Sequence, residues 1–228
     1  DGDAMGRAFP ELQMVSFTLG GITATPMAMI DDKGNGATFD TISNQWTEKL
    51  ARALTIQMGG SAMVSLYPVT AGECKKYLIK NSLSLIHYIG CVVKEHSFNA
   101  YKVLAKELNG KHLFQARVRD VERATNEGFT RGIVKLEGIG DFVGRNAKLD
   151  FQNEFLIAME GDKVLATTPD LICLFDANTG EPVTTEAMKY GLSVNVLGLP
   201  CDPIWKSKEA IDLVGPKYFK YDIEYQPL

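Results

Sequence analysis

The sequence predicts a mixed α+β fold in two parts. An incomplete α/β portion covers residues 1–109, and a mostly β, sandwich- or barrel-like domain covers residues 110–228. Three observations predict it. Apolar residues recur at helical spacing between residues 43 and 108. From Lys111 the period shortens to two, and β-prone runs alternate with Gly and Asn turns. The chain also opens on a charged loop with no strand ahead of it. Functional loops in α/β proteins follow the carboxyl end of a strand, so the sequence is expected to be the later portion of a longer protein.

The opening loop, residues 1–14, carries Asp1, Asp3, Arg7, Glu11 and Gln13, punctuated by Gly2, Gly6 and Pro10. Glycine and proline disfavour a helix there, and the apolar residues do not alternate as in a half-buried strand. Residues 15–19 read as a short strand ending at Gly20-Gly21. Residues 25–30 and 37–42 read as a hairpin around Asp31-Asp32-Lys33-Gly34-Asn35-Gly36. Residues 43–58 give the clearest helix, with Ser43 as N-cap, an apolar face of Trp46, Leu50, Ala53, Leu54 and Met58, and a stop at Gly59-Gly60. A buried strand over 61–67 follows. Helices are expected over 71–78, over 83–93 with Leu85, Ile86, Ile89, Val92 and Val93 inward, and over 99–108.

In the second half, residues 112–125 and 129–137 form a predicted hairpin around Asn126-Glu127-Gly128. Residues 147–159 and 163–168 form another around Glu160-Gly161-Asp162. Thr168-Pro169-Asp170 breaks a strand, because proline cannot donate to a ladder. Residues 171–175 and 192–197 read as strands, 207–214 as a short helix and 218–225 as a last strand.

Composition narrows the function classes. The net charge of −4 over 228 residues argues against a general nucleic-acid binder. No apolar run reaches the roughly 20 residues of a membrane helix, and the start of the chain has no basic segment followed by an apolar one. Cys74, Cys91, Cys173 and Cys201 are irregularly spaced, with no Cys-x-x-Cys pair, which fits free thiols in a reducing cytoplasm. His87, His96 and His112 are scattered, and His87 reads as a core histidine. No nucleotide motif is present: Gly20-Gly21 and Gly59-Gly60 lack the lysine and serine or threonine of a phosphate-binding loop. A divalent metal stays open, since Asp3, Glu11 and a distant histidine could converge in space. Self-association stays open as well.

The segment Asp1-Gly2-Asp3-Ala4-Met5-Gly6-Arg7-Ala8-Phe9-Pro10-Glu11-Leu12-Gln13-Met14 resembles the central signature of the S-methyl thiohydantoin desulfurase family. The resemblance continues through Asp120-Val121-Glu122-Arg123, Asp150-Phe151-Gln152-Asn153-Glu154, Thr168-Pro169-Asp170-Leu171-Ile172-Cys173, Asp176-Ala177-Asn178-Thr179-Gly180 and Leu213-Val214-Gly215-Pro216. Similar proteins carry a further N-terminal segment with a glycine-rich turn, which nothing here matches. The resemblance implies hydrolytic removal of sulfur from a thiohydantoin-type cyclic ureide. It also implies a place beside a hydantoinase or oxoprolinase partner, and the missing N-terminal segment as a further partner. A non-catalytic accessory module of the same system is the alternative.

That chemistry needs an activated water, an acid or cation at the leaving sulfur, and donors to hold the ring. A carboxylate serves as base if partial burial raises its pKa. Asp3, Arg7 and Glu11 are the catalytic candidates, with Asp1, Gln13, Asn153 and Glu154 as substrate-binding candidates. Arg7 suits a ring carbonyl or a substrate carboxylate, and Gln13 can both donate and accept. Against this stands an Asp3–Arg7 ion pair that only pins the loop. On a single strand Asp150, Gln152 and Glu154 share one face, either a site wall or a solvated surface. Cys173 reads as core, and Cys201 is the one thiol to test for sulfur chemistry.

Overall fold

The computed structural model describes residues 1–126 and 129–228. A short strand, β1 (Gly2–Asp3), is followed by a single helical turn, α1 (Ser16–Leu19). A strand was expected over residues 15–19. Instead the backbone closes locally, with Thr18 N donating to Val15 O and Gly20 N to Phe17 O.

The hairpin forms as the sequence predicts, from β2 (Met27–Ile30) and β3 (Gly36–Phe39). Asp31 fixes its turn by accepting from Lys33 N and Asn35 N, at 2.9 and 2.8 Å. Beyond the next helix, α2 (Asn44–Gln57), β4 (Met63–Ser65) completes a three-stranded sheet ordered β3-β2-β4. β4 was expected to be buried; it is an exposed edge strand.

α2 is capped by the Ser43 hydroxyl, which accepts from Trp46 N. Its inward face differs from the expected one. Thr47, Glu48 and Ala51 are buried, while Trp46 and Leu50 are 46% and 43% exposed. The reason is that Glu48 finds partners inside: its carboxylate accepts from Leu12 N at 2.8 Å and pairs with Arg52.

Three more helices complete the front part. α3 (Ala71–Tyr77) begins with a reciprocal capping box between Thr70 and Glu73. It leads into β5 (Ile79–Lys80), which pairs antiparallel with β1. α4 (Ser82–His96) buries Val92 but leaves Leu85 and Ile86 41% and 60% exposed, contrary to the expected inward face. His87 is exposed rather than in the core. α5 (Ala100–Glu107) buries Ala100, Tyr101 and Leu104 against the sheet that follows.

That sheet has eight strands: β6 (Lys111–Asn126), β7 (Phe129–Gly138), β8 (Asn146–Gln152), β9 (Glu154–Glu160), β10 (Lys163–Thr167), β11 (Leu171–Asp176), β12 (Pro182–Val183) and β13 (Ser193–Leu199). All neighbours are antiparallel, in the order β10-β9-β8-β7-β6-β13-β11-β12. The centre of the β6–β7 turn, Glu127 and Gly128, lies outside the described residues. β10 and β12 end the sheet, so no closed barrel forms among the described residues. Register shifts at residues 118/120, 150/151, 164/166 and 196/197 bend it. The bend brings β11 against β9 and β10.

α6 (Lys208–Val214) follows, capped by Ser207. The last expected strand is absent. Residues 216–219 make a 3-10 turn, and the chain then runs without regular structure along the body of the protein.

One apolar core lies within the bent sheet and includes Phe114, Leu149, Phe151 and Val196. A second joins the opening loop to the back of the molecule, packing Phe9 and Met14 with Leu156, Ile157, Trp205 and Val214.

Candidate functional site

The opening loop is held at almost every polar group. Asp1 accepts from Leu83 N and Ser84 N, at 3.1 and 3.2 Å, at the start of α4, where the helix dipole favours an anion. Asp3 folds back on its own loop, accepting from Met5 N at 2.5 Å and Gly6 N at 2.7 Å. Burial raises the Asp3 carboxyl, but the Ser82 hydroxyl and these two amides outweigh it and leave it below the ordinary value. Gly6 has φ +67°, and a Cβ there would sit 3.0 Å from the Ile79 side chain, so the turn requires glycine.

Arg7 does not meet Asp3. Its Nη1 donates to Pro169 O at 2.9 Å and Asp170 O at 2.7 Å, and its Nε to Ala8 O at 3.0 Å. The guanidinium lies 4.8 Å from the centre of the Phe9 ring. Phe9 in turn packs edge-on against Trp205, whose indole N–H donates to Met5 O.

Glu11 and Gln13 belong to a separate network. Gln13 Nε2 donates to Glu11 at 2.5 Å and to Tyr218 Oη at 2.9 Å, and the Tyr218 hydroxyl donates to Glu11 at 2.6 Å. Burial, and then the Glu11 bond, push the Tyr218 phenol well up, so it stays protonated as a donor. Gln13 is 1% exposed, and its Oε1 has no hydrogen-bond partner among the described residues.

Residues 150–154 do not form one strand. A hairpin turn at Asn153, with φ +57°, separates β8 from β9. Asp150 and Gln152 therefore lie on β8 while Glu154 begins β9. Asn153 is tied on three sides: its N–H donates to Thr130 O, its Oδ1 accepts from Thr130 N, and its carbonyl accepts from the Thr185 hydroxyl. Asp150 pairs with Lys148 at 3.4 Å.

Beside this turn is a cavity of about 450 Å³. Its lining includes Arg7, Asn153, Glu154 and Glu186 together with Ile89 and Val93 of α4. The fold thus brings Arg7 from the opening loop to Asn153 and Glu154 from the hairpin. Asp1, Asp3, Glu11 and Gln13 do not line this cavity.

Glu154 is the most unusual group in it. Burial raises its carboxyl above the ordinary value, and the neighbouring Glu186 adds to that. Arg7, its own backbone N–H and Arg52 oppose the rise without cancelling it. Its Oε2 is sealed from solvent, with no hydrogen-bond partner on any other described residue. A buried acceptor left unpaired costs about 1–3 kcal/mol, which a ligand N–H would recover. Glu186 has the opposite character: bonds to its own backbone N–H and to Thr184 lower its carboxyl, and it stays ionised.

The Cys173 and Cys201 thiols are neutral. Burial pushes Cys173, which lines the cavity, up to about 11. Cys201, expected to be the thiol for sulfur chemistry, is 5% exposed and pushed up to about 12 by burial and by Asp170. It is enclosed rather than available.

Asp170, whose role the sequence did not reveal, is fully buried and anchors the C-terminal tail. Its carboxylate accepts from Cys201 N at 2.8 Å, from Tyr225 Oη at 3.1 Å and from Leu228 N at 3.0 Å. The Glu48–Arg52 pair was also missed, although its i,i+4 spacing is visible in the sequence. Among the described residues, no group of three or more His, Cys, Asp or Glu side chains converges as a metal site would require. No helix among them is long and apolar enough to cross a membrane.

Two family models match the chain end to end. Residues 1–41 match the S-Me-THD-like N-terminal domain, and residues 42–228 match the S-Me-THD-like C-terminal domain. The chain belongs to the S-Me-THD-like family. A crystal structure of a protein from Chromobacterium violaceum superposes on this S-Me-THD-like chain with a TM-score of 0.81 at 20% identity. The match covers 100% of this chain and 66% of that one, and it establishes the shared fold. No curated protein matches the chain.

Proposed function

We propose that this S-Me-THD-like chain carries the chemistry of a hydrolytic desulfurase acting on a thiohydantoin-type cyclic ureide, in the cavity between the opening loop, β9 and β11. The observation that carries the proposal is Glu154, a cavity carboxylate whose proton is held above the ordinary range and whose buried oxygen is unpaired.

The reaction suits such a group. Water adds to the ring carbon bearing the S-methyl group and gives its proton to Glu154. The carbon–sulfur bond then breaks, and Glu154 returns the proton to the departing sulfur. The hydroxyl left on the ring carbon passes its proton to the ring nitrogen, so the products are the hydantoin and methanethiol, with one water consumed and one thiol released. A carboxyl raised above its ordinary value serves both steps better than an exposed one, as base and then as acid.

Arg7 spends its Nε and Nη1 on backbone carbonyls. Its role is to fix the loop and supply a positive field beside Glu154, which favours the negative charge that develops on the ring when water adds. Asp3 holds the turn that presents Arg7. Glu11 and Gln13 hold the opening loop to Tyr218.

The test is incubation of the protein with an S-methyl thiohydantoin in isotopically heavy-oxygen water. The expected result is methanethiol release, with one heavy oxygen in the hydantoin ring. Thiol release without label in the ring, or an intact substrate, contradicts the proposal.

A further inference from the structure

Asn153 and Glu154 share one peptide unit, and its two polar ends have different partners. The carbonyl belongs to Asn153 and accepts from the Thr185 hydroxyl. The N–H belongs to Glu154 and donates to that residue's own carboxyl. The unit is trans and planar, so a group that fixes its oxygen also fixes where its N–H points. Thr130 bonds the Asn153 N–H and side chain, which leaves the carbonyl to Thr185. Thr185 is itself held. It is buried, in the turn that follows β12, where Ala187 N donates to Thr184 O at 3.2 Å. Met188 anchors the end of this turn in the sheet core. Arg123 of β6 spans the turn: its Nη2 donates to Thr185 O at 2.6 Å and to Met188 O at 2.7 Å. Both bonds are strengthened by the charge of the guanidinium.

From this chain of contacts we infer that Thr185 and Arg123 are positioning residues for Glu154: Thr185 orients the Asn153–Glu154 peptide, and Arg123 holds Thr185 in place. The inference rests on the proton-transfer reading of Glu154 and adds the device that aims its carboxyl. The charged groups that face Glu154 are Arg7, Arg52 and Glu186. Of these, Glu186 lies in the same turn as Thr185, one residue further on.

The experiment is an NMR titration of isotopically labelled glutamate carboxyls in the whole chain, with Glu154 assigned by its loss in Glu154→Gln. Rates of methanethiol release from an S-methyl thiohydantoin are measured beside it. In Thr185→Val, which keeps the shape but removes the hydroxyl, the Glu154 midpoint is expected to move to higher pH, because its carboxylate loses a donor. A retreat of Glu186 would lower the midpoint instead, so the upward shift belongs to the peptide. In the same variant kcat is expected to fall roughly tenfold with KM little changed, and Thr185→Ser is expected to restore both. Arg123→Met is expected to slow turnover in the same way, and its combination with Thr185→Val no further than the worse of the two. Thermal melts confirm folding. If Thr185→Val does not fold, the unmodified chain decides: the Glu154 amide proton is expected to titrate with the midpoint of its carboxyl, and an amide that ignores it overturns the inference. So do an unmoved or lowered midpoint in folded Thr185→Val, a serine variant as impaired as the valine one, or losses that multiply in the double variant. No thiol release by any form, the unmodified chain included, overturns the desulfurase reading, while the titration still decides the positioning.

Discussion

At the scale of single residues, Glu154, half-buried, and Asp170, fully buried, are carboxylates with opposite surroundings. Glu154 has an oxygen, Oε2, without a hydrogen-bond partner on any other described residue, and its carboxyl is raised above the ordinary value of 4.5. The folded protein therefore holds a proton that the unfolded chain releases between that value and the raised one. The sign follows from linkage: this group's stabilisation is complete below the unfolded value and is lost as pH rises through the folded one. Glu154→Gln removes the loss. Its Tm is expected to match the parent's below about pH 4, a bound set by the ordinary carboxyl value, and to exceed it increasingly toward neutral pH. Scanning calorimetry across that range checks this, and a gap that widens toward acid contradicts it. Asp170 instead has three donors. Asp170→Ala strands them and is expected to cost about 3 kcal/mol in urea unfolding. The part of this chemistry readable from the sequence was the local part. Glu154 stood in a dense polar motif. Asp170 looked like a turn residue, because its partners Tyr225 and Leu228 lie 55 and 58 positions away.

At the scale of elements, the β8–β9 hairpin decides where Glu154 points. Its turn depends on Asn153 in the left-handed region, which asparagine and glycine tolerate and β-branched residues do not. Asn153→Val is therefore expected to be less stable than Asn153→Gly by about 1–2 kcal/mol, measured by denaturant midpoints on both variants. A valine variant as stable as the glycine one would show that the turn is not strained. Apolar periodicity located the helices but misjudged which sides face inward. On α2, Glu48 and Thr47 turned in because the opening loop offers Glu48 a backbone amide, and Trp46 and Leu50 turned out. Residues 147–159 read as one strand because nothing in their alternation marks Asn153 as a turn. Only its left-handed backbone and its bonds to Thr130 do so.

At the scale of the molecule, the first residues and the last ones are fastened to the same place. Arg7 donates to the carbonyls of Pro169 and Asp170, while the Asp170 carboxylate holds Tyr225 and Leu228. Gln13 reaches Tyr218, and Phe9 packs on Trp205. A shared core of this kind predicts one cooperative unfolding transition, with near-ultraviolet and far-ultraviolet circular dichroism changing together. Two separated transitions would show that the parts are held only by surface contacts. The mixed α+β class was legible because the period changes at Lys111. The open, bent form of the sheet was not, because the register shifts that bend it leave little trace in composition.

The central claim is that Glu154 moves the proton during desulfurisation. It is tested most directly by comparing methanethiol release from an S-methyl thiohydantoin by the unmodified chain and by Glu154→Gln, over a range of pH. The account predicts a folded variant that binds the ring but is slowed about a hundredfold or more, together with loss of the pH dependence assigned to Glu154. A folded Glu154→Gln protein with the full rate and an unchanged pH profile would contradict it.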